Sequence, residues 1–85
     1  MIRVRCLGHI ATSVGAREVE LDLEEADAAE IVNRLRSMSA GGDPGFDVYN
    51  TLVMVQDGEA FVPASAKRTV KGGDRLVLIP FSHGG

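Results

Sequence analysis

Cysteine, aromatic residues and long apolar runs are all scarce in this chain of 85 residues, and each scarcity excludes a class of protein. The only cysteine, Cys6, can form no internal disulfide and cannot supply the four thiolates that a plant-type iron–sulfur cluster requires. Tryptophan is missing and aromatic residues make up only 5% of the chain, so a surface for stacking nucleic-acid bases is not expected.

An excess of positive charge is missing too, because nine basic residues stand against twelve acidic ones and the net charge is −3. This balance gives no support for a nucleic-acid-binding surface. The N-terminus lacks the apolar core of a signal peptide, and no stretch is long enough to span a membrane. We therefore expect a soluble, cytoplasmic protein with no nucleic-acid or membrane partner.

Residues that could carry catalysis form no recognisable group. His9 and His83 are far apart and have no carboxylate at a fixed spacing, so neither a catalytic dyad nor a metal site is expected. The serines match no nucleophile motif, and Cys6 lies on the apolar face of its segment, where a core role is expected. We predict a protein that is not itself an enzyme and binds no cofactor.

Alternation of apolar and polar residues marks two strands near the N-terminus. Residues 2–7, "IRVRCL", and 16–23, "AREVELDL", both alternate with a period of two, and we interpret residues 8–15 between them as a loop. The two runs predict an antiparallel hairpin with one buried face.

The period changes to that of a helix at Asp27, which can cap its start, with Glu30 three residues later. Gly41 or Gly42 suits the left-handed residue that closes a helix, and Pro44 prevents its continuation. The apolar positions at helical spacing are Ala28, Ile31, Val32, Leu35 and Met38.

The second half of the chain predicts further strands. Residues 50–63 indicate a strand, a turn at Asp57–Gly58 and a short extension, and residues 64–74 are polar and turn-like. Residues 75–81, "RLVLIPF", form a last strand whose apolar run favours a central position in the sheet, covered on both sides or with one face left exposed.

This order of elements predicts an α+β fold, the β-grasp or ubiquitin-like roll, in which a mixed sheet of four to five strands carries one main helix on one face. The last strand is expected beside the first. We assign residues 1–81 to the domain and 82–85 to a flexible tail that ends in Gly84 and Gly85. Because fold does not determine function, the function that the C-terminal residues imply has to be judged separately.

The two ends of the chain resemble a known family. Residues 72–85, "GGDRLVLIPFSHGG", are similar to the ending of the sulfur carriers that include the small subunit of molybdopterin synthase (MoaD) and the thiamin sulfur carrier (ThiS). The start, "MIRVRCLGHIATSVGAREVEL", is similar to that of MoaD-type proteins. The segment "TLVMVQDGEAF" and the final "HGG" also resemble the ubiquitin-related modifier. "PFSH" departs from bacterial MoaD proteins, which usually have a second proline and small residues there.

The resemblance implies a carrier that acts as a co-substrate. A MoeB/ThiF-like adenylating enzyme would use ATP to activate the carboxylate of Gly85, and a cysteine desulfurase or rhodanese would supply sulfur to form a thiocarboxylate. The expected acceptor is the large subunit of molybdopterin synthase. Thiamin thiazole, cysteine, thiolated tRNA or a specialised metabolite remain alternatives, as do conjugation of Gly85 to lysines and a non-reactive adaptor role.

We expect the reactive C-terminus to need a narrow, extended tail and a docking surface. Residues 81–85 can reach about 17 Å when extended, at about 3.3 Å per residue. On the last strand, Leu76 and Leu78 are expected under the helix, so that Ile79 and Phe81 project outward unless residues 40–50 cover them. Family members bind partners through an exposed apolar sheet face, and the docking residues expected here are Leu7, Phe61, Ile79, Phe81 and His83.

Overall fold

Two sheets and two helices make up the described part of the chain, which is residues 1–39 and 44–81 of a computed structural model. In chain order the elements are β1 (Ile2–Cys6), α1 (Gly8–Val14), β2 (Glu18–Leu21), β3 (Glu25–Asp27), α2 (Ala28–Ser37), β4 (Thr51–Asp57), β5 (Ala60–Ala64), β6 (Thr69–Lys71) and β7 (Arg75–Pro80). None of the helices described is long and apolar enough to cross a membrane.

The larger sheet has the strand order β2-β1-β7-β4-β5. Strand β1 pairs antiparallel with β2 and parallel with β7, and β7 pairs antiparallel with β4. The last strand therefore lies beside the first and at the centre of the sheet, as predicted. The short strands β3 and β6 form a second, two-stranded sheet.

Helix α2 begins where the sequence predicts. The carboxylate of Asp27 accepts a hydrogen bond of 2.8 Å from the backbone N–H of Glu30, which satisfies one of the free donors of the first turn. The helix buries its apolar stripe, including Ile31 and Leu35, against the sheet. It ends at Ser37, and Met38, which the sequence places at the same helical spacing as the buried residues, is 45% exposed. Gly41 and Gly42 lie outside the described residues.

The core lies between α2 and one face of the larger sheet, which we call the inner face. Fully buried residues of β1 and β7, such as Val4 and Leu78, meet the buried stripe of α2 there. Phe46, from the segment that precedes β4, also lies in this core. Burial of Leu76 and Leu78 confirms the predicted orientation of β7.

Two segments that we interpreted as irregular are regular in the structure. Residues 8–15, predicted as a loop, contain α1, whose Ile10 is completely buried in the core. Residues 69–71, predicted as part of a turn, form β6, and Val70 is completely buried. One apolar residue in each segment is anchored by tertiary packing, which overrides weak local preference.

Candidate functional site

The outer face of the larger sheet is the surface on which the predicted docking residues meet. Side chains of a strand alternate between faces, so residues between the buried positions of β1, β7 and β4 point away from α2. They are only partly buried or exposed. The outer face is charged toward β2 and apolar toward β4, and these two halves need separate description.

The apolar half lies where β7 ends. Ile79 is paired with Leu52 of β4, and Val77 is paired with Met54. Leu7 follows Cys6, whose partner on β7 is Leu78, and the backbone N–H of Leu7 donates a hydrogen bond of 3.1 Å to the carbonyl of Leu78. Leu7 therefore lies beside Ile79. We call this set the apolar surface: Leu7, Leu52, Met54, Val77, Ile79 and Phe81.

Phe61 lies away from the end of β7, although we expected it to belong to the same docking set. It is paired with Gln56 on β4, four residues along the strand from Leu52, which is opposite Ile79. At about 3.3 Å per residue this is a separation of roughly 13 Å. Phe61 is 43% exposed and lines a shallow pocket with Arg5, Arg75 and Val77 instead.

The charged half contains an ion-pair cluster centred on Arg3. Its guanidinium lies 3.1 Å from the carboxylate of Glu20 and 3.7 Å from that of Glu18, and all three side chains are more than two-fifths exposed. Such exposed pairs contribute little to stability. In this cluster both glutamates are paired with Arg3 at the β2 edge of the sheet. The neighbouring arginines of the outer face are therefore left without these acidic partners.

The chain is held in place up to Phe81. The backbone N–H of Phe81 donates a hydrogen bond of 2.9 Å to the carbonyl of Asn50, one residue before β4 begins. Pro80 is paired with Thr51 and lies against Gly8 at the start of α1. The side chain of Phe81 is 50% exposed. Ser82 and the predicted residues His83, Gly84 and Gly85 lie outside the described residues, so the division of the domain at residue 81 stays a prediction.

A rigid turn beside this end of β7 presents a tyrosine that sequence reasoning missed. The carboxylate of Asp47 accepts hydrogen bonds from the backbone N–H groups of Tyr49 and Asn50, at 2.8 and 3.1 Å. The side-chain oxygen of Asn50 accepts one of 2.8 Å from the N–H of Asp47. Tyr49 is 88% exposed. An Asp followed three residues later by Asn is a turn signal that could have revealed it.

The alternative, in which residues 40–50 cover the docking residues, can be judged for part of that segment. Residues 40–43 lie outside the described residues. Phe46 is turned into the core, and Nε2 of His9 donates a hydrogen bond of 3.1 Å to the carbonyl of Gly45. With this segment in place, Leu7 is still 40% exposed and Ile79 partly exposed.

Cys6 has the environment of a structural residue. It is 2% exposed, and burial raises the pKa of its thiol, so the reactive thiolate is disfavoured at neutral pH. Within residues 1–39 and 44–81, no group of three or more histidine, cysteine or acidic side chains is arranged to hold a metal ion. The reactive group of this site, as the sequence predicts it, is the carboxylate of the chain end.

Comparison with solved structures identifies the fold. No protein-family model matches the sequence, and no curated protein matches it. SAMP1 from Haloferax volcanii is 23% identical with a TM-score of 0.63, and the match covers 99% of this chain and 98% of that one. A second structure, of H. volcanii small archaeal modifier protein 1, is 23% identical with a TM-score of 0.61, covering 93% and 94% of the two chains.

A chain of the Amycolatopsis orientalis BexX/CysO complex is 24% identical, with a TM-score of 0.65 and complete coverage of both chains. All three likenesses extend over nearly the whole length of this chain. They confirm the predicted β-grasp, ubiquitin-like fold.

Proposed function

We propose that this protein is a sulfur carrier whose reactive group is the C-terminal carboxylate of Gly85. The observation that carries the proposal is the position of the last strand. Strand β7 is central and the chain is hydrogen-bonded through Phe81, Val77 and Ile79 of this strand belong to the apolar surface, and the sequence continues from there into "SHGG". A docked partner would thus find Phe81, where the tail begins, beside the surface that it binds.

The reach of the tail can be bounded from the described residues. Because the backbone of Phe81 is bonded to Asn50, no more than four residues, 82–85, are left to reach a partner, and four residues span at most about 13 Å. The two glycines have no Cβ, so their backbone can approach a nucleotide in a narrow channel. A side chain at residue 85 would lie next to the reacting carbon, where a misplacement of about 1 Å can cost on the order of 100-fold in rate.

The proposed chemistry converts a poor electrophile into a sulfur donor. A carboxylate oxygen of Gly85 attacks the α-phosphorus of ATP on a ubiquitin-activating-type partner, and pyrophosphate leaves. The terminal sulfur of a persulfide, supplied by a cysteine desulfurase or rhodanese, attacks the acyl carbon, and AMP leaves. A thiol of the donor protein then cleaves the acyl disulfide, which yields the thiocarboxylate and a protein disulfide. We expect this reaction in the cytoplasm, where ATP is available.

Mass spectrometry of the intact protein tests this proposal. We expect that co-expression with the adenylating enzyme and the sulfur donor of its own source replaces one oxygen by sulfur. The chain lacking Gly85 should show no replacement and should retain the circular dichroism spectrum and the stability of the unmodified domain. Sulfur incorporation into the truncated chain, or none into the intact chain beside a partner that is active on ATP, contradicts the proposal.

The acceptor that we favour is the large subunit of molybdopterin synthase, because the two ends of this chain are similar to those of MoaD-type proteins. The thiocarboxylated chain, mixed with that subunit and the molybdopterin precursor, should return to the carboxylate as dithiolene product forms. Sulfur delivery instead to thiamin thiazole, cysteine, tRNA or a specialised metabolite would identify a different carrier branch.

A second candidate function is protein modification through an isopeptide bond from Gly85 to lysines. The specific observation in its favour is the likeness to a structure named as a small archaeal modifier protein. Trypsin would not leave a diglycine remnant, because the last basic residue is Arg75 and the remnant would be residues 76–85. The variant His83→Arg shortens the remnant to Gly-Gly, so paired searches for both remnants on cellular lysines test the modifier function.

A further inference from the structure

Two arginines on the outer face have no ionic partner within the described chain. The only described ion pairs join Arg3 to Glu18 and Glu20. Glu18 lies directly opposite Arg5 in the pairing of β1 with β2, yet its carboxylate is held by Arg3. Arg5 and Arg75 therefore present guanidinium groups that no described carboxylate neutralises.

The strand register places Arg75 next to another arginine, and this lowers the stability of the isolated domain. Arg3 and Arg75 are direct neighbours across the parallel pair β1–β7, where like charges are destabilising, and the described carboxylates compensate Arg3 but not Arg75. Acidic residues outnumber basic ones in the chain as a whole, so a compensating carboxylate beside Arg75 would be easy to supply. Local features that lower stability without a compensating contact are expected at functional sites.

The two arginines border a concave, partly apolar site. They line a pocket of about 220 Å³, which we call the arginine pocket, together with Phe61, Gln56, Leu76 and Val77 and with the ion-paired Arg3 and Glu18. Val77 also belongs to the apolar surface, so the pocket continues directly into the face on which docking is proposed. A guanidinium beside Phe61 and Val77 favours a ligand with a carboxylate next to an apolar group, because arginine donates paired hydrogen bonds to a carboxylate.

We propose that the arginine pocket binds an acidic side chain of the partner protein, flanked by an apolar residue that packs on Val77 and Phe61. The inference rests on the proposed function, because the partner is the enzyme that adenylates the tail. Charge complementarity of this kind fixes the register of docking and excludes partners with a basic surface. A nucleic acid is the less suitable occupant, because two guanidiniums beside an apolar surface neutralise few phosphates in a chain of net charge −3.

The direct test uses probes that do not depend on sulfur chemistry. The ¹⁵N-labelled protein is titrated with a blocked hexapeptide of alternating glutamate and leucine, and separately with its lysine–leucine counterpart, at low and at physiological ionic strength. We expect the acidic peptide to shift the amide signals of β1, β5 and β7 and to bind at least tenfold more tightly than the basic one. Added salt should weaken the binding, because screening acts on exposed charges.

Matched variants locate the interaction. The double variant Arg5→Gln, Arg75→Gln should weaken binding of the acidic peptide at least tenfold, a change of about 1.4 kcal/mol. The control Arg34→Gln, Arg68→Gln removes the same charge from exposed positions outside the larger sheet and should leave binding unchanged. No binding of the acidic peptide, equal binding of the basic peptide, equal loss in both variants, or tighter binding of a single-stranded oligonucleotide at the same amides would each overturn the proposal.

The same variants separate this inference from the proposed function. If the acidic peptide binds at the arginine pocket while the intact chain is never thiocarboxylated, the pocket stands and the carrier function fails. If the intact chain is thiocarboxylated but the double variant has an unchanged KM with the adenylating enzyme, that enzyme does not use the pocket, and the proposal is overturned. A raised KM with an unchanged kcat supports it.

Discussion

Replacing Gly8 with alanine tests the contact that holds the end of β7. Gly8 has φ of 56°, and a Cβ at this position would lie 3.1 Å from Cγ of Pro80. The left-handed conformation costs an alanine about 1–2 kcal/mol. The close approach to a proline ring, fixed in the sheet beside Thr51, adds a displacement that we expect to cost about 1 kcal/mol, at the low end for overpacked positions.

Gly58 provides a matched control for the cost of the left-handed backbone conformation. It has φ of 66° in the turn between β4 and β5, with no atom within 4 Å of its would-be Cβ. We expect Gly58→Ala to lower the free energy of unfolding by about 1–2 kcal/mol and Gly8→Ala by about 2–3 kcal/mol. For a domain of this size each kcal/mol corresponds to roughly 4–8 °C in Tm.

Urea denaturation followed by circular dichroism measures both effects, with an unchanged m-value as the sign that the same two states are compared. In the background Pro80→Ala, which removes the contacting ring atoms, the cost of Gly8→Ala should fall to that of Gly58→Ala. Equal costs for Gly8→Ala and Gly58→Ala in the unsubstituted protein, or no coupling between residues 8 and 80, would refute the contact argument.

Three further predictions concern stability. Asp27→Ala removes the cap of α2 and should lower the free energy of unfolding by about 0.5–2 kcal/mol in urea denaturation, whereas Asp27→Asn, which can still accept the hydrogen bond, should cost less. Burial raises the pKa of Cys6, so the unfolded chain loses the thiol proton first; stability should fall as pH rises above about 8.5, and Cys6→Ala should lack that part of the slope. Tyr49→Ala removes an exposed side chain and should change the thermal midpoint by no more than the equivalent of about 0.5 kcal/mol; a larger loss would mean that the ring packs on the domain.

The helices show what the sequence could and could not predict about the fold. Helix α2 carries a capping Asp27, an apolar stripe and no glycine within its bounds, so local preference and burial agree. Helix α1 has only seven residues, starts with Gly8 and buries a single large residue, Ile10. Isolated helices of this length are not stable, and the packing of Ile10 that holds α1 cannot be read from its periodicity. The three-residue strands β3 and β6 are too short for an alternation to be recognised.

The sequence predicted an apolar outer face but not all of the residues that belong to it. Alternation placed Ile79 and Phe81 opposite the buried leucines of β7, and their exposure agrees with it. Leu52 and Met54 were missed because β4 reads as a continuous apolar run, which is also typical of a strand covered on both faces. The separation of Phe61 from the end of β7 could not be predicted, because the distance between β5 and the end of β7 depends on the pairing register. Whether these residues bind a partner stays a prediction.

The parallel pairing of β1 with β7 also has a mechanical consequence. Because the strands run in the same direction, a force that pulls the chain at Met1 and at Phe81 acts along both strands in opposite senses. Their hydrogen bonds, such as those from Arg3 to Asp74 and from Leu7 to Leu78, then carry the load together instead of breaking one by one. When β7 is pulled from its C-terminal end, β4 resists the force as well, because β7 lies between β1 and β4. The domain is therefore expected to stay folded when force is applied where β7 ends.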